Sequence, residues 1–372
     1  MKKLSRQDLN DILFGCTILG TGGGGNPKEG LVLIDKALQA GKEFVLADLD
    51  EVPDDAMIGI PYMCGSVSPA KSEDEQKYRG LPRMDEEPAL KALEEMEEYL
   101  SQKFLGVMST ELGGGNTAIA FYVGAMLGKR IIDADPAGRS VPELQHSIFY
   151  INGLPIEPLA VANEFGDVAI VKKVVNDERA EALVRAMAVA SGNSVGVVDH
   201  PARMRDIKNS VIPGAISYAL EIGKAFRKAK EAKGDLAAEV AKAGCGCVLF
   251  KGRVSGYKWD TVDGFTIGDV FIEGEGGYAG SNYEIWYKNE HIISWKDGSV
   301  DVTVPDLICI ISDDTKEPLT NPNYEEGMKV SVLGFPAPKG WRTKEGLEIF
   351  GPRHFGYDFD YIPIEDKYRL TD

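Results

Sequence analysis

The apolar pattern of this chain changes character once, near Gly244, and that change limits the possible folds more than any single motif. Before it, helical and extended signals alternate. Residues 9–19 have apolar residues at helical spacing. Residues 29–40 read as a helix closed by Gly41, with Pro27 in the first turn, where a residue lacking an N–H is tolerated. Runs 44–49, 57–63, 104–108 and 130–132 are short and apolar. Residues 88–103 place Leu90, Leu93, Met96 and Leu100 on one helical face, and 117–127 read as an apolar helix. This alternation predicts an α/β layer structure. A hairpin over 159–175 and helices over 178–190 and 216–230 follow. Beyond Gly244, runs 247–254, 266–273, 282–288, 291–296, 307–312 and 328–333 are split by Gly, Asp and Asn turns, which predicts a β-rich barrel or sandwich. The expected organisation is a two-domain α+β protein. An α/β domain occupies 1–165, a helix pair and β-rich domain 166–345, and a tail over 346–372 returns toward the first domain. A chain of 372 residues has room for two cores.

Charge narrows the partners. A net charge of −17 argues against nucleic acid or an anionic membrane as the main partner, since both are polyanions. No run supplies the roughly 20 apolar residues of a membrane span, and the amino-terminal stretch lacks a signal-peptide core. Five cysteines, an odd number in a long chain, do not make a disulfide framework. A cytoplasmic protein acting on a small molecule is the expectation, with assembly into a homo-oligomer left open.

Two glycine–asparagine loops, Gly22-Gly23-Gly24-Gly25-Asn26 and Gly113-Gly114-Gly115-Asn116, each stand before a helical run. Consecutive glycines are costly to order and persist where a backbone turns tightly or approaches another group closely. Asn is a good N-cap, so each loop either delivers backbone N–H groups to a polar ligand or is a capped turn and nothing more. Gly20, Gly22 and Gly25 formally satisfy G-x-G-x-x-G, but a helix and not a strand leads into them, so the dinucleotide reading fails on context.

The densest polar cluster is Asp133-Ala134-Asp135-Pro136-Ala137-Gly138-Arg139-Ser140-Val141-Pro142-Glu143, at the carboxyl end of a strand, where open α/β sheets place ligands. Asp133 and Asp135 share a face if the strand continues through them, and such a pair can hold a divalent cation, share a proton or grip a substrate; a salt-bridged loop is the alternative. Near the carboxyl terminus, Gly351-Pro352-Arg353-His354-Phe355-Gly356-Tyr357-Asp358 offers Arg353 for bidentate contacts and His354 as a base or metal ligand, or is a docking strap. Cys64 at a strand end is a weaker candidate nucleophile. Cys245-Gly246-Cys247 is too closely spaced for a zinc knuckle. His146 and His200 read as structural, and Asn289-Glu290 as a hairpin turn.

Taken together the segments resemble one family along nearly the whole chain, the S-methyl thiohydantoin desulfurase-like family, sometimes fused to hydantoinase/oxoprolinase subunits. The matching motifs are Gly20-Thr21-Gly22-Gly23-Gly24-Gly25-Asn26-Pro27, Glu111-Leu112-Gly113-Gly114-Gly115-Asn116, Asp133-Ala134-Asp135 with Gly138-Arg139 and Pro142-Glu143, Asn289-Glu290, Val304-Pro305-Asp306-Leu307-Ile308, and Gly351-Pro352-Arg353 with Phe355-Gly356-Tyr357. Ser140 stands where relatives often carry alanine, and Lys288 where glutamine is common.

The resemblance implies an α/β amino-terminal and a β-rich carboxy-terminal part, and chemistry at the thio-substituted carbon of a five-membered cyclic imide analogue. The leading expectation is a hydrolase acting on a C–N or C–S bond of a small cyclic amide, hydantoin or thiohydantoin. Residue chemistry within the motifs assigns Asp133, Asp135, Glu143 and His354 to catalysis. It assigns Gly23, Gly24, Asn26, Gly114, Gly115, Asn116, Arg139 and Arg353 to substrate binding, and a divalent metal, if used, to Asp133 and Asp135. The alternatives are a non-catalytic metabolite-binding subunit of a hydantoinase-like assembly and an ATP-dependent ring-opening enzyme. Both glycine loops and the 133–143 segment are expected to meet at one cleft, which the tail also reaches.

Overall fold

The computed structural model describes residues 1–65 and 78–370. The amino-terminal half is α/β. Its sheet has eight strands in the order Lys2–Lys3, Val45–Ala47, Arg130–Ile132, Gly106–Val107, Met57–Gly65, Ser194–Arg203, Leu159–Ala162, Val168–Val171. The middle strands from Val45–Ala47 to Met57–Gly65 are parallel. The remaining pairings are antiparallel. Strand Met57–Gly65 is apolar almost throughout because helices cover both sheet faces. Its Ile58, Ile60, Tyr62 and Cys64 join one core with Val184 of helix Asp177–Val189. Gly59 faces Leu93 and Phe104 on the other side, where helices Pro88–Leu100 and Asn116–Met126 pack.

The sheet runs past residue 165, where sequence placed the end of the first domain. Strands Leu159–Ala162 and Ser194–Arg203 pair with each other, and the latter pairs with Met57–Gly65. The two helices that sequence grouped with the β-rich half, Asp177–Val189 and Ala215–Ala232, pack against the first sheet and helix Arg6–Leu19. Helix Ala215–Ala232 lies against helix Arg6–Leu19, with Gly15 against the Ala219 carbonyl and Gly223 against the Asp11 carbonyl. Arg227 fastens the pair, donating from Nε to Asp11 Oδ1 at 2.9 Å and from Nη2 to Oδ2 at 3.1 Å. Ser5 and Asp8 close a capping box at the start of the first helix.

The carboxy-terminal half is a single antiparallel sheet of eight strands, ordered Ser299–Thr303, Glu290–Lys296, Asn282–Lys288, Phe265–Gly274, Cys247–Val262, Lys329–Phe335, Leu307–Ser312, Glu317–Pro318. It rolls so that Val302 near one edge shares a core with Ile308 and Ile310 near the other, around Tyr283 and Ile285. Strand Cys247–Val262 continues well past Val254, where glycine signals suggested a turn, because the register shift between Val254 and Gly256 lets the strand absorb Ser255 and stay paired, with Gly256 opposite Phe271. All five cysteines are free. Among the described residues no helix is long and apolar enough to cross a membrane.

The Arg6–Leu19/Ala215–Ala232 contact requires glycine at its closest points, since a Cβ on Gly223 would overlap the Asp11 carbonyl. Gly223→Val is therefore expected to cost about 3 kcal/mol, the upper part of the overpacking range. Denaturant titration against wild type checks this, and an unchanged midpoint would remove the contact from the account of the fold.

Candidate functional site

The first glycine loop leaves helix Arg6–Leu19 at Gly20 and enters helix Pro27–Gln39, whose N-cap is Asn26; Asn26 Oδ1 accepts from the Lys28 amide at 2.9 Å. Gly24 and Gly25 hold φ of +72° and +85°, a region where a Cβ is strained. The two loops touch backbone to backbone. Gly113 packs on Gly24 and Gly115 on Gly25, and the Gly24 carbonyl accepts from the amides of Gly115 at 2.8 Å and Asn116 at 3.2 Å. Among the described residues the amides of Gly24, Gly25 and Asn26 have no hydrogen-bond partner. Asn116 is not the cap of its helix: Gly115 is, and Asn116 is the first helical residue. Its side chain instead accepts from the Met63 amide at 3.0 Å and donates to Glu111 Oε1 at 2.8 Å.

The loops face a cavity of about 1110 Å³ between the two halves of the molecule. Gly23, Gly24, Asn26, Gly115, Asn116 and Glu143 line it, so the glycine loops and the end of the 133–143 segment meet there. Tyr257 and Trp259 of the long strand form part of the opposite wall.

Two buried carboxyls on this wall, Glu111 and Glu290, stand in the family-matching motifs but were not assigned to the site from sequence. Glu111 precedes the second glycine loop and accepts from Asn116 and, at Oε2, from the Val141 amide at 2.9 Å. Burial outweighs these bonds and pushes its carboxyl up to about 7. Glu290 opens strand Glu290–Lys296 after the left-handed Asn289, which is clamped through the Thr266 amide to its Oδ1 at 2.9 Å and Asn321 Nδ2 to its carbonyl at 2.7 Å. The Glu290 carboxyl lies directly on Gly23, where any Cβ would collide with it, and its Oε2 is buried without a partner among the described residues. Burial first, and then the Glu111 charge, push Glu290 well above the carboxylate range, with Arg139 opposing. The available signal was their place in the matching motifs, one carboxylate beside a glycine loop and the other at what reads as a hairpin turn.

The other expected site residues fall differently. Asp133 and Asp135 do not form a pair and do not line the cavity. Asp133 accepts from the Ser217 amide at 2.9 Å and from its hydroxyl, holding the first turn of helix Ala215–Ala232. Asp135 accepts from the amides of Ala137, at 2.8 Å, and Gly138, shaping its own turn; burial pushes it up to about 7. Both carboxylates serve backbone N–H groups, so the metal assigned to them has no shared site there. Arg139 is fully buried and bonds within the protein through all three nitrogens. Gly114 packs against Thr17 and Pro27 behind the loop rather than on the cavity wall. Arg353 points outward and pairs with Asp358 and, at 3.0 Å, Asp360. Cys64 does line the cavity, but burial pushes its thiol up to about 12, so it is not a thiolate at neutral pH.

His354 does reach the cavity wall, through His146. The two Nε2 atoms lie 3.1 Å apart, and His146, read from sequence as structural, is fully buried on the cavity wall with Nδ1 unpartnered among the described residues. Burial pushes His146 down to about 3, which leaves it neutral. Glu143 completes a cluster in which one donor atom from each residue lies within 4.8 Å of the others. Burial acts to raise the Glu143 carboxyl, but with His146 neutral it is the Lys288 ammonium bonded to it that outweighs burial and holds it below its ordinary value. Lys288 and Gln145 both donate to this carboxylate. Among the described residues these three side chains, and not the aspartates, have the donor set for a metal.

Comparison with known proteins agrees with this architecture. A crystal structure of a protein from Chromobacterium violaceum superposes with a TM-score of 0.76 at 20% identity, covering 98% of this chain and 100% of that one, a likeness of fold. No curated protein matches the chain. The family models for the S-Me-THD-like N-terminal domain and the S-Me-THD-like C-terminal domain match residues 7–173 and 175–364 in turn. Matched by both models in order along nearly its whole length, the chain belongs to the S-Me-THD-like family.

Proposed function

We propose that the inter-domain cavity binds a small cyclic amide, hydantoin or thiohydantoin and hydrolyses it at a carbonyl-type carbon. The observation that carries this reading is the pairing of two buried carboxyls held above their ordinary range, Glu111 and Glu290, with a glycine loop whose amides at Gly24, Gly25 and Asn26 have no partner among the described residues. Hydrolysis of this kind needs a base for water, an acid for the leaving group and donors for the oxygen that gains charge. Glu111, with its carboxyl near 7, is suited to take a proton from water, and Glu290 to supply one. The loop amides are suited to the oxyanion. On an S-methyl thiohydantoin, water adds to the thio-substituted carbon, the thiol leaves with a proton, and a ring carbonyl remains.

Wall charge bears on the ATP-dependent alternative. The described residues on the wall include Glu29, Glu87, Glu111, Glu143, Glu181, Glu290 and Glu325 against a single arginine, Arg185, and no lysine. That balance supports a neutral or weakly charged ring over a triphosphate.

The reading is tested with a panel of hydantoins, cyclic amides and S-methyl thiohydantoins, products being followed by mass spectrometry. Turnover of at least one class is expected, and silence across the panel sinks the proposal. On a turned-over substrate, Glu290→Gln should lower kcat by about 10²–10⁴, the usual worth of a general acid or base, with no loss of melting temperature. Gly23→Ala, which displaces the Glu290 carboxyl, should lower kcat in the same direction.

Stability should also report the buried acid. A carboxyl raised in the folded state binds protons that the unfolded chain releases. Stability is therefore full below the unfolded value, about 4.3, and falls as pH rises through about 7 for Glu111. Charges near Glu111 are Arg139, Asp135 and Glu290, and the Cys64 thiol is also close. Between pH 5 and 8 the melting temperature of wild type should fall more than that of Glu111→Gln. Parallel curves would show that Glu111 titrates normally.

A further inference from the structure

We propose that Glu143, His146 and His354 form a binding site for one divalent transition-metal ion on the cavity wall. The proposal goes beyond the hydrolytic reading and does not depend on it. Two of the four histidines in the chain, 208 residues apart, meet here ring nitrogen to ring nitrogen. Their Nε2 separation of 3.1 Å matches ligand spacing around a metal. With metal–nitrogen bonds of about 2.0–2.1 Å, two ligands lie about 3.0 Å apart in cis octahedral and about 3.4 Å apart in tetrahedral geometry.

Without an ion the arrangement leaves polar atoms poorly served. In the contact between the rings, only one Nε2 can donate to the other. Whichever tautomer His146 adopts, its Nδ1 then stays buried without a partner among the described residues, a cost the fold bears at a fully buried position. Beside it Gln145, only 5% exposed, donates to Glu143 while its own Oε1 is buried and unpartnered among the described residues. Phe350 and Phe355 pack against the His146 ring, and Phe355 also meets the His354 ring edge-on. Both rings are thereby held, as ligands in a preformed site need to be.

Two imidazoles and one carboxylate suit zinc and its first-row neighbours better than magnesium or calcium, which prefer all-oxygen sites. Three protein ligands leave at least one coordination position open, and Glu143 and His146 both line the cavity, so that position is available to water or a substrate atom. The Lys288 ammonium bonded to Glu143 is the competitor: it neutralises the carboxylate that an ion would use.

The test uses the full chain. Metal content is measured as purified, and Zn²⁺ and Co²⁺ are then titrated calorimetrically into chelator-treated protein, with the Co²⁺ d–d spectrum recorded. One equivalent of either ion is expected, with a Co²⁺ spectrum showing nitrogen ligation. His354→Ala, at an exposed position where the fold should tolerate it, is expected to weaken binding about 100-fold or more, as are His146→Ala and Glu143→Gln. Lys288→Met, which frees the carboxylate and removes a positive charge close to both histidines, should tighten it. Absence of uptake by wild type up to about 0.1 mM ion, an affinity too weak to matter, overturns the proposal. So does uptake that His354→Ala leaves unchanged, or that Lys288→Met fails to strengthen. Because the readout is binding, a metal-free result leaves the hydrolytic reading standing, and a loaded site with no turnover does the reverse.

Discussion

The joint between the two halves depends on one buried cation. Arg139 has five guanidinium N–H donors and makes five hydrogen bonds: Nε to the Ser140 carbonyl, Nη1 to the Pro305 and Asp306 carbonyls, and Nη2 to Thr21 Oγ1 and the His291 carbonyl. These oxygens belong to the first glycine loop, the turn after Asp135, the start of a strand and the segment entering another. A buried guanidinium is tolerated only when its donors are met, and the face of Phe350, 4.9 Å from its centre, closes the remaining side. Burial lowers its pKa to about 10, still charged at neutral pH. Its removal would orphan four carbonyls at the place where the two sheets are joined. Two backbone bonds reinforce the same seam, His291 N–H to the Thr21 carbonyl and Asn321 N–H to the Gly22 carbonyl, each at 2.7 Å.

That seam explains the glycines better than flexibility does. The first loop is gripped from below by Arg139 and from the side by the second loop, and it is covered by Glu290. Each contact is so close that a side chain has no room: Gly23 meets Glu290, Gly24 meets Ser140 and Gly113, and Gly30 in the next helix meets the Gly114 carbonyl. Backbone is thus brought to the cavity surface, where the amides of Gly24, Gly25 and Asn26 have no partner among the described residues. Chain entropy lost in ordering the glycines is offset by contacts that only glycine permits.

Much of this was legible in sequence because it is local. Alternating periods gave the α/β half, turn-separated short runs gave the antiparallel half, and paired glycine loops pointed to a shared cleft that Gly24 and Gly115 do line. What was not legible depends on pairings across long separations. Asp133 and Asp135 look like a metal pair in sequence, but Ser217, 84 residues away, claims the first, while the turn after Asp135 claims the second. The first sheet extends to residue 203 because an antiparallel strand arrives from beyond a helix. Arg139 reads as a ligand clamp until its partners at Pro305 and Asp306 are in place. His146 is unremarkable until residue 354 is beside it.

The carboxyls on the cavity wall also show how one environment can supply opposite chemistry. Glu143 is bonded by the Lys288 ammonium and stays ionised, its titration held below the ordinary range. Glu290, buried with one oxygen unpartnered and another carboxyl nearby, retains its proton far above that range, and Glu111 is poised near 7. Identical side chains on one wall are therefore an anion, an acid and a group able to change state near neutrality. The difference lies in who stands next to each: an ammonium for Glu143, an amide and a backbone N–H for Glu111, a glycine backbone for Glu290. The two raised carboxyls, Glu111 and Glu290, destabilise the fold as pH rises, whereas Glu143, held low, does so as pH falls, and the arrangement is sustained because the Arg139 seam holds all three in place. A packed interior with apolar residues at these positions would be more stable and would have nothing with which to move a proton.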